Sequence, residues 1–192
     1  MIAGHFGFAA IVKSREPETP LWALMLATVW LDVVFVPLFL SGIETMQAAD
    51  QVHTGYGANI IHADYTHSLI GAIALSGILG VLAGLLWGRR SGIVIGLVAA
   101  SHWLLDLIVH RADLPILPGN MGGLPLLGLG VWRYPLISFG IELALVLVGA
   151  FLYWRTAIRV VETEGKGARP AAITAALIAF FGVMILWLDF SG

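Results

Sequence analysis

Five apolar stretches, at 20–41, 65–87, 92–110, 134–155 and 170–189, alternate with short polar connections along the chain. Each is close to the roughly 20 residues needed to cross a bilayer core ~30 Å thick. Residues 1–13, MIAGHFGFAAIVK, make a sixth and shorter apolar segment. At about 1.5 Å per residue it reaches only ~20 Å, so it is read as a half-helix or as a helix lying in the interface. The pattern predicts an all-α, polytopic membrane bundle: five transmembrane helices plus a short N-terminal half-helix, forming a single membrane-embedded domain over 1–192. The segment 111–133, RADLPILPGNMGGLPLLGLGVWR, fits neither a helix nor an ordinary loop. Its prolines and glycines prevent a regular helix, yet leucines dominate it. Such backbone is tolerated at membrane depth only against protein or a water-filled cavity, so a lid or re-entrant loop is expected. Trp132 and Tyr134 are expected at the membrane interface.

Composition strengthens this picture. The chain is 59% hydrophobic and 11% charged, with a mean hydropathy of +0.91. A soluble domain averages about 25% charged residues. The net charge of −2 carries no sign of nucleic-acid binding. There are no cysteines, which excludes disulfides, thiolate metal sites and cysteine nucleophiles. The N-terminus lacks the basic start of a signal peptide and carries a histidine in its apolar run. No lipidation motif, glycosylation sequon or strong internal repeat is present.

The basic residues set an orientation. Lys13 and Arg15, then Arg89 and Arg90, then Arg155, Arg159, Lys166 and Arg169 fall on alternate connections, whereas 42–64 contains no Lys or Arg. The other side holds only Arg111 and Arg133. The positive-inside rule therefore predicts a multi-pass protein of the cytoplasmic (inner) membrane with its C-terminus outside.

Within that frame the ionisable residues of the spans gather in one leaflet. Asp32, His67, His102, Asp106, His110, Glu142 and Asp189 all fall in outer halves, and the inner halves hold no acid or histidine. Each costs a few kcal/mol on insertion scales and so marks a bundle interior or an aqueous cavity. Their placement implies a polar cavity opening outward. At ~1.5 Å per residue, Asp32, His102 and Glu142 lie roughly 12 Å below the outer boundary, and the half-helix can carry His5 to the same layer.

The stretch SHWLLDLIVHRAD at 101–113 is the densest part of this set. His102, Asp106 and His110 recur every four residues and share one helical face. His102 and His110 stand ~12 Å apart along a regular helix, so they cannot share an ion unless the helix breaks. His102 with Asp106, or Asp106 with His110, can do so. Imidazoles and carboxylates without thiolates suit zinc, manganese or iron. A two-metal site would suit phosphoester hydrolysis, with Arg111 placed to take a phosphate. Glu142 is a ligand or the general base. Structural readings stand beside these: a helix-to-helix polar network, a solvated His67 or Asp189, and Asp113 paired with Arg111. His53, His62 and Asp64 read as ordinary surface residues, and Tyr65, Thr66 and Ser68 as caps of the second span.

The succession of GHFG at 4–7, THSL at 66–69, SHWLLD at 101–106 and HRADLP at 110–115 resembles the YdjM-like family of bacterial inner-membrane proteins. Those are described as membrane-bound metal-dependent hydrolases. The resemblance implies that His5, Asp32, His67, His102, Asp106 and His110 are its polar positions. It departs from the family at LDVVFVP, where Asp32 is the single acid. The H-x3-D step also resembles, more weakly, zinc-dependent phospholipases C.

The sequence reading is thus a metal-dependent hydrolase acting at the outer leaflet on a lipid or lipid-linked phosphoester. Its metal ligands are His5, Asp32, His67, His102, Asp106 and His110, and its catalytic groups are Asp106, Glu142 and Arg111. A divalent metal, zinc before manganese or iron, and the lipid bilayer are the implied partners. The alternatives are a non-catalytic membrane subunit, a haem-binding protein using two histidines, and a proton-relay or transport protein.

Overall fold

A computed structural model describes residues 1–49, 55–163 and 167–191. Six helices dominate: α1 (Ile2–Arg15), α2 (Leu21–Thr28), α3 (Trp30–Leu40), α4 (Leu69–Val109), α5 (Pro135–Thr163) and α6 (Arg169–Ser191). Of these, α4, α5 and α6 are long and apolar enough to cross a membrane. The pair α2 and α3, bent by 50° at Val29, passes the same test when taken together.

The 41 residues of α4 would stretch ~60 Å if straight, about twice the bilayer core. They do not run straight. At Gly88 the backbone takes φ 84 and ψ 163, a region open to glycine and closed to most side chains. The two arms, 69–87 and 89–109, fold back antiparallel. A Cβ added at Gly92 would lie 2.6 Å from the Gly84 Cα, so the arms meet backbone to backbone. Small residues permit that approach where lipid supplies no hydrophobic drive between helices.

Basic residues collect at one end. Thr19 Oγ1 lies 3.2 Å from Ser91 Oγ, and Arg90 forks onto Glu16 at 2.9 and 3.0 Å, tying the 16–20 connection to the turn of α4. This exposed contact holds the Glu16 carboxyl below its ordinary range through the Arg90 hydrogen bonds. The opposite end carries a two-stranded antiparallel hairpin, β1 (Thr45–Ala48) with β2 (Asn59–His62), in register Thr45↔His62. The all-helical expectation did not include it. His62 lies on β2, and His53 falls outside the described residues.

Residues 111–133 fold over that same end. Leu114 and Leu127 pair through both backbone groups, Pro115 and Ile116 accept from Leu69 N and Ile70 N, and Gly130 N donates to the His110 carbonyl. The segment thereby satisfies the amides that open α4, beside the Ser68 hydroxyl that accepts from Gly71 N at 3.0 Å. It is a covering loop pinned to the ends of both arms.

The short segment at the N-terminus is a helix inside the bundle rather than one lying flat. Ala3, Ala9 and Ala10 are fully buried, and α1 packs on α2, α5 and α6. Its polar groups are buried as well: Gly4 N donates to Glu142 Oε2 at 3.0 Å, and Thr28 Oγ1 donates to the His5 carbonyl at 2.9 Å.

Candidate metal centre

Four elements bring the site together. α1 supplies His5, α3 supplies Asp32, the turn before α4 supplies His67, and the end of α4 supplies His102, Asp106 and His110. Apart from Asp32, their side chains are at most 6% exposed. Asp32, His67 and His102 form one group able to hold an ion, and His5, His102 and Asp106 form another.

Around the first group the spacing is that of a coordination sphere. His67 Nε2 and His102 Nε2 are 3.2 Å apart. Asp32 Oδ1 stands 3.5 Å from the first nitrogen and 3.6 Å from the second, and Asp106 Oδ2 stands 3.8 and 3.0 Å from them. Four ligands about 2.0–2.1 Å from a tetrahedral zinc lie roughly 3.3 Å from one another. The five measured separations bracket that value.

The outer hydrogen bonds fix which ring nitrogens carry hydrogen. His102 Nδ1 lies 2.8 Å from the Thr28 carbonyl, which can only accept, so this nitrogen is the donor. That carbonyl faces His102 at the break between α2 and α3. Thr66 Oγ1 is 2.9 Å from a carboxylate oxygen of Glu44 and donates to it. The same hydroxyl must then accept from His67 Nδ1, also at 2.9 Å. His110 Nδ1 donates to Asp113 Oδ1 at 3.0 Å. In each neutral ring Nε2 is consequently bare, and each Nε2 points at other acceptors. His67 and His102 set two lone pairs against each other, and His110 Nε2 faces Asp106 Oδ2 at 3.7 Å. Such an arrangement calls for a cation, and histidine ligands braced at the far nitrogen are the usual second layer of a metal site.

Several expectations change here. His110 is the C-cap after the last helical residue, Val109. Its φ of −61 and its N–H bond to the Asp106 carbonyl keep it in the helical i,i+4 position beside Asp106, and its ψ of 148 turns the chain that follows away into the covering loop. Asp113 does not pair with Arg111; its carboxylate is taken by His110 three residues earlier. Arg111 donates instead to the Gly57 carbonyl. Glu142 is fully buried and bound to Gly4, next to His5 in the chain, but belongs to neither ion-holding group. Asp189 lines a cavity of about 440 Å³ with Tyr56 and Trp132, to which none of the cluster residues contributes. Burial, with Glu142 second, pushes the Tyr56 hydroxyl upward. Of the three residues read as caps, Ser68 alone caps α4.

Glu44 escaped the sequence reading. It is 1% exposed and accepts from Tyr65 N and Thr66 N, both at 2.8 Å, besides the Thr66 hydroxyl. It therefore holds the turn that aims His67. Its one advance signal is position, as an acid just beyond an apolar span in a connection without cations. Glu44→Gln leaves the shape and removes the charge, so it is expected to weaken metal affinity about 10–100-fold while the fold persists. Competition with a chelator of known affinity measures this; unchanged affinity would limit Glu44 to shaping the turn.

Comparison of the chain with protein-family models, curated proteins and solved structures returns no match. What can be stated of the protein is therefore its own chemistry: a mostly helical chain with apolar helices long enough to span a membrane, and a buried His/Asp cluster able to hold a metal ion.

Proposed function

We propose that the chain is a metal-dependent hydrolase of the cytoplasmic membrane, in which Asp32, His67, His102 and Asp106 hold a divalent ion and the substrate is a lipid or lipid-linked phosphoester. The observation that carries the reading is the set of bare imidazole nitrogens turned toward two carboxylates, each braced from behind by a carbonyl, a hydroxyl or an acid. Zinc suits these nitrogen and oxygen donors, and manganese or iron fit the same chemistry. When bound, such an ion polarises a phosphoryl oxygen and makes water a better nucleophile.

The chain's own groups do the rest. Asp106 spans the cluster, with Oδ2 beside His102 and Oδ1 accepting from His5 Nε2 at 3.1 Å. His110 flanks it at 3.7 Å and is the group available for a second ion or for moving a proton. Hydrolysis adds water across a phosphorus–oxygen ester bond and releases an alcohol and a phosphate. Asp32, the most accessible carboxylate of the set, is placed to take the proton that the attacking water loses.

For topology the proposal counts α2 with α3 as one span, the arms of α4 as two, and α5 and α6 as two more, with α1 inserted among them. The turn of α4 and the 13–20 connection then face the cytoplasm, and the hairpin, the covering loop and the C-terminus lie outside. The motifs resembling YdjM-like proteins support the reading as a membrane-bound metal-dependent hydrolase.

Activity is tested in vesicles containing phosphatidic acid, followed by release of inorganic phosphate. Wild-type protein is expected to turn over, to lose activity with EDTA and regain it with zinc or manganese, and to fall at least about 100-fold on Asp106→Asn. A metal-loaded wild type inert toward phosphatidic acid and other lipid phosphoesters would refute the hydrolase assignment.

A further inference from the structure

We propose that this site is loaded sideways from the bilayer, through an opening beside Asp32 on α3, and that it admits a phosphate-bearing lipid whose acyl chains stay outside the bundle. The inference rests on the metal-hydrolase reading and names the route and substrate class for it.

Accessibility is the first ground. The Asp32 side chain is 39% exposed, whereas those of His5, His67, His102, Asp106 and His110 are at most 6%. Whatever reaches the cluster reaches Asp32 first. The surroundings of Asp32 supply the second ground. Val36 and Phe39 lie one and two turns further along the same face of α3 and are 51% and 40% exposed. Val33 is 42% exposed and Leu40, the last residue of the helix, 77%. Asp32 is thus the single acid on an open apolar face, ~12 Å from the helix end. At that depth the open face of a spanning helix meets hydrocarbon, where an isolated carboxylate is costly.

From the other directions no cluster side chain besides Asp32 is more than 6% exposed among the described residues. The covering loop is hydrogen-bonded across the ends of both α4 arms, and the Trp132 ring lies 4.2 Å from that of His110. The cavity at the hairpin end is lined by Tyr56, Trp132 and Asp189 among others, and by none of the cluster residues. In this proposal the route to the site runs through a side opening rather than through the outward-opening polar cavity expected from the sequence. A phosphate there meets the cation it needs, while its chains lie along Val33, Val36 and Phe39. A water-soluble phosphoester would have no such path.

The chain has no cysteine, so Val36→Cys provides a single exposed thiol for a fluorescent bimane label. The labelled full chain would be placed in vesicles carrying brominated phosphatidic acid or brominated phosphatidylcholine at equal bromine content. Metal content would be measured on the same preparation. Brominated phosphatidic acid is expected to quench roughly fivefold more effectively, and Asp32→Asn to abolish the preference. Quenching by aqueous iodide with little by either lipid would overturn the proposal in favour of a water-filled route. Equal quenching by both lipids would also overturn it, leaving a face that merely touches lipid, and no quenching by any agent would mean that another protein surface covers it. A preparation without bound metal that kept the phosphatidic acid preference would remove the hydrolase reading and leave the lateral route standing.

Discussion

His102→Ala is expected to abolish stoichiometric metal binding, and Asp106→Ala to do the same. Protein purified without a polyhistidine tag should carry one or two equivalents of a divalent ion by mass spectrometry, and each variant less than about a tenth of that. The reason lies in shared atoms. His102 Nε2 and Asp106 Oδ2 are 3.0 Å apart, and each also faces His67. Removing either leaves three donors at most and opens a buried gap where the fourth stood. The alternative is a single proton shared between the facing imidazoles of His67 and His102, which would make the cluster a polar network joining helices. That state predicts no bound metal even after zinc, manganese or iron is restored to the wild type, and this result would remove the metal centre. His102→Ala separates the two in a second way: a purely structural network loses thermal stability without any change in metal content. Acidification should release the ion as well, because imidazole nitrogens must be bare to bind it.

The polar residues of this site were readable because membrane spans leave so few of them. His102, Asp106 and Asp32 stand out against apolar neighbours, and counting along the apolar stretches sets them toward one and the same end of the bundle. Less legible was anything that depends on a broken helix. Nothing at Thr28–Val29 announces an interruption, since neither glycine nor proline is there, yet the break turns a main-chain carbonyl toward His102. His110 is different: it closes the last turn of α4 with its N–H still bonded to the Asp106 carbonyl, so its place beside Asp106 is the i,i+4 pairing the spacing offers, and it joins His102 in neither ion-holding group. Charge pairing misled at Asp113, where Arg111 was the obvious partner two residues away and His110 the real one. Glu44 was hidden by its place in a connection, where acids are ordinarily solvated. For α1 the sequence left two readings open, an inserted half-helix that brings His5 to the site and a helix lying in the interface; the small residues Ala3, Gly4, Gly7 and Ala10 fit the first, which is the one observed.

Gly7→Val is expected to be the most damaging single change outside the cluster. A Cβ at this position would lie 2.5 Å from the Leu145 carbonyl carbon and 2.6 Å from Val146 N, so it meets main chain that cannot rotate aside. Gly149 presses from the other side of the same crossing onto the Gly7 backbone. Any added side chain must therefore push α1 off α5. Overpacking of this kind costs about 1–3 kcal/mol where a core can relax, and more where two backbones touch. The cost also reaches the site. Moving α1 breaks the bond from Gly4 N to Glu142, leaves a fully buried carboxylate without that donor, and withdraws His5 from Asp106. Thermal unfolding in detergent should show a large fall for Gly7→Val, with loss of metal at temperatures where the wild type retains it. Gly140→Ala is the control on the same helix α5, since a Cβ there meets nothing within 4 Å, and it should shift stability little. If both variants melt alike, the α1–α5 contact is not what holds His5 in place, and the N-terminal helix is not needed to build the centre.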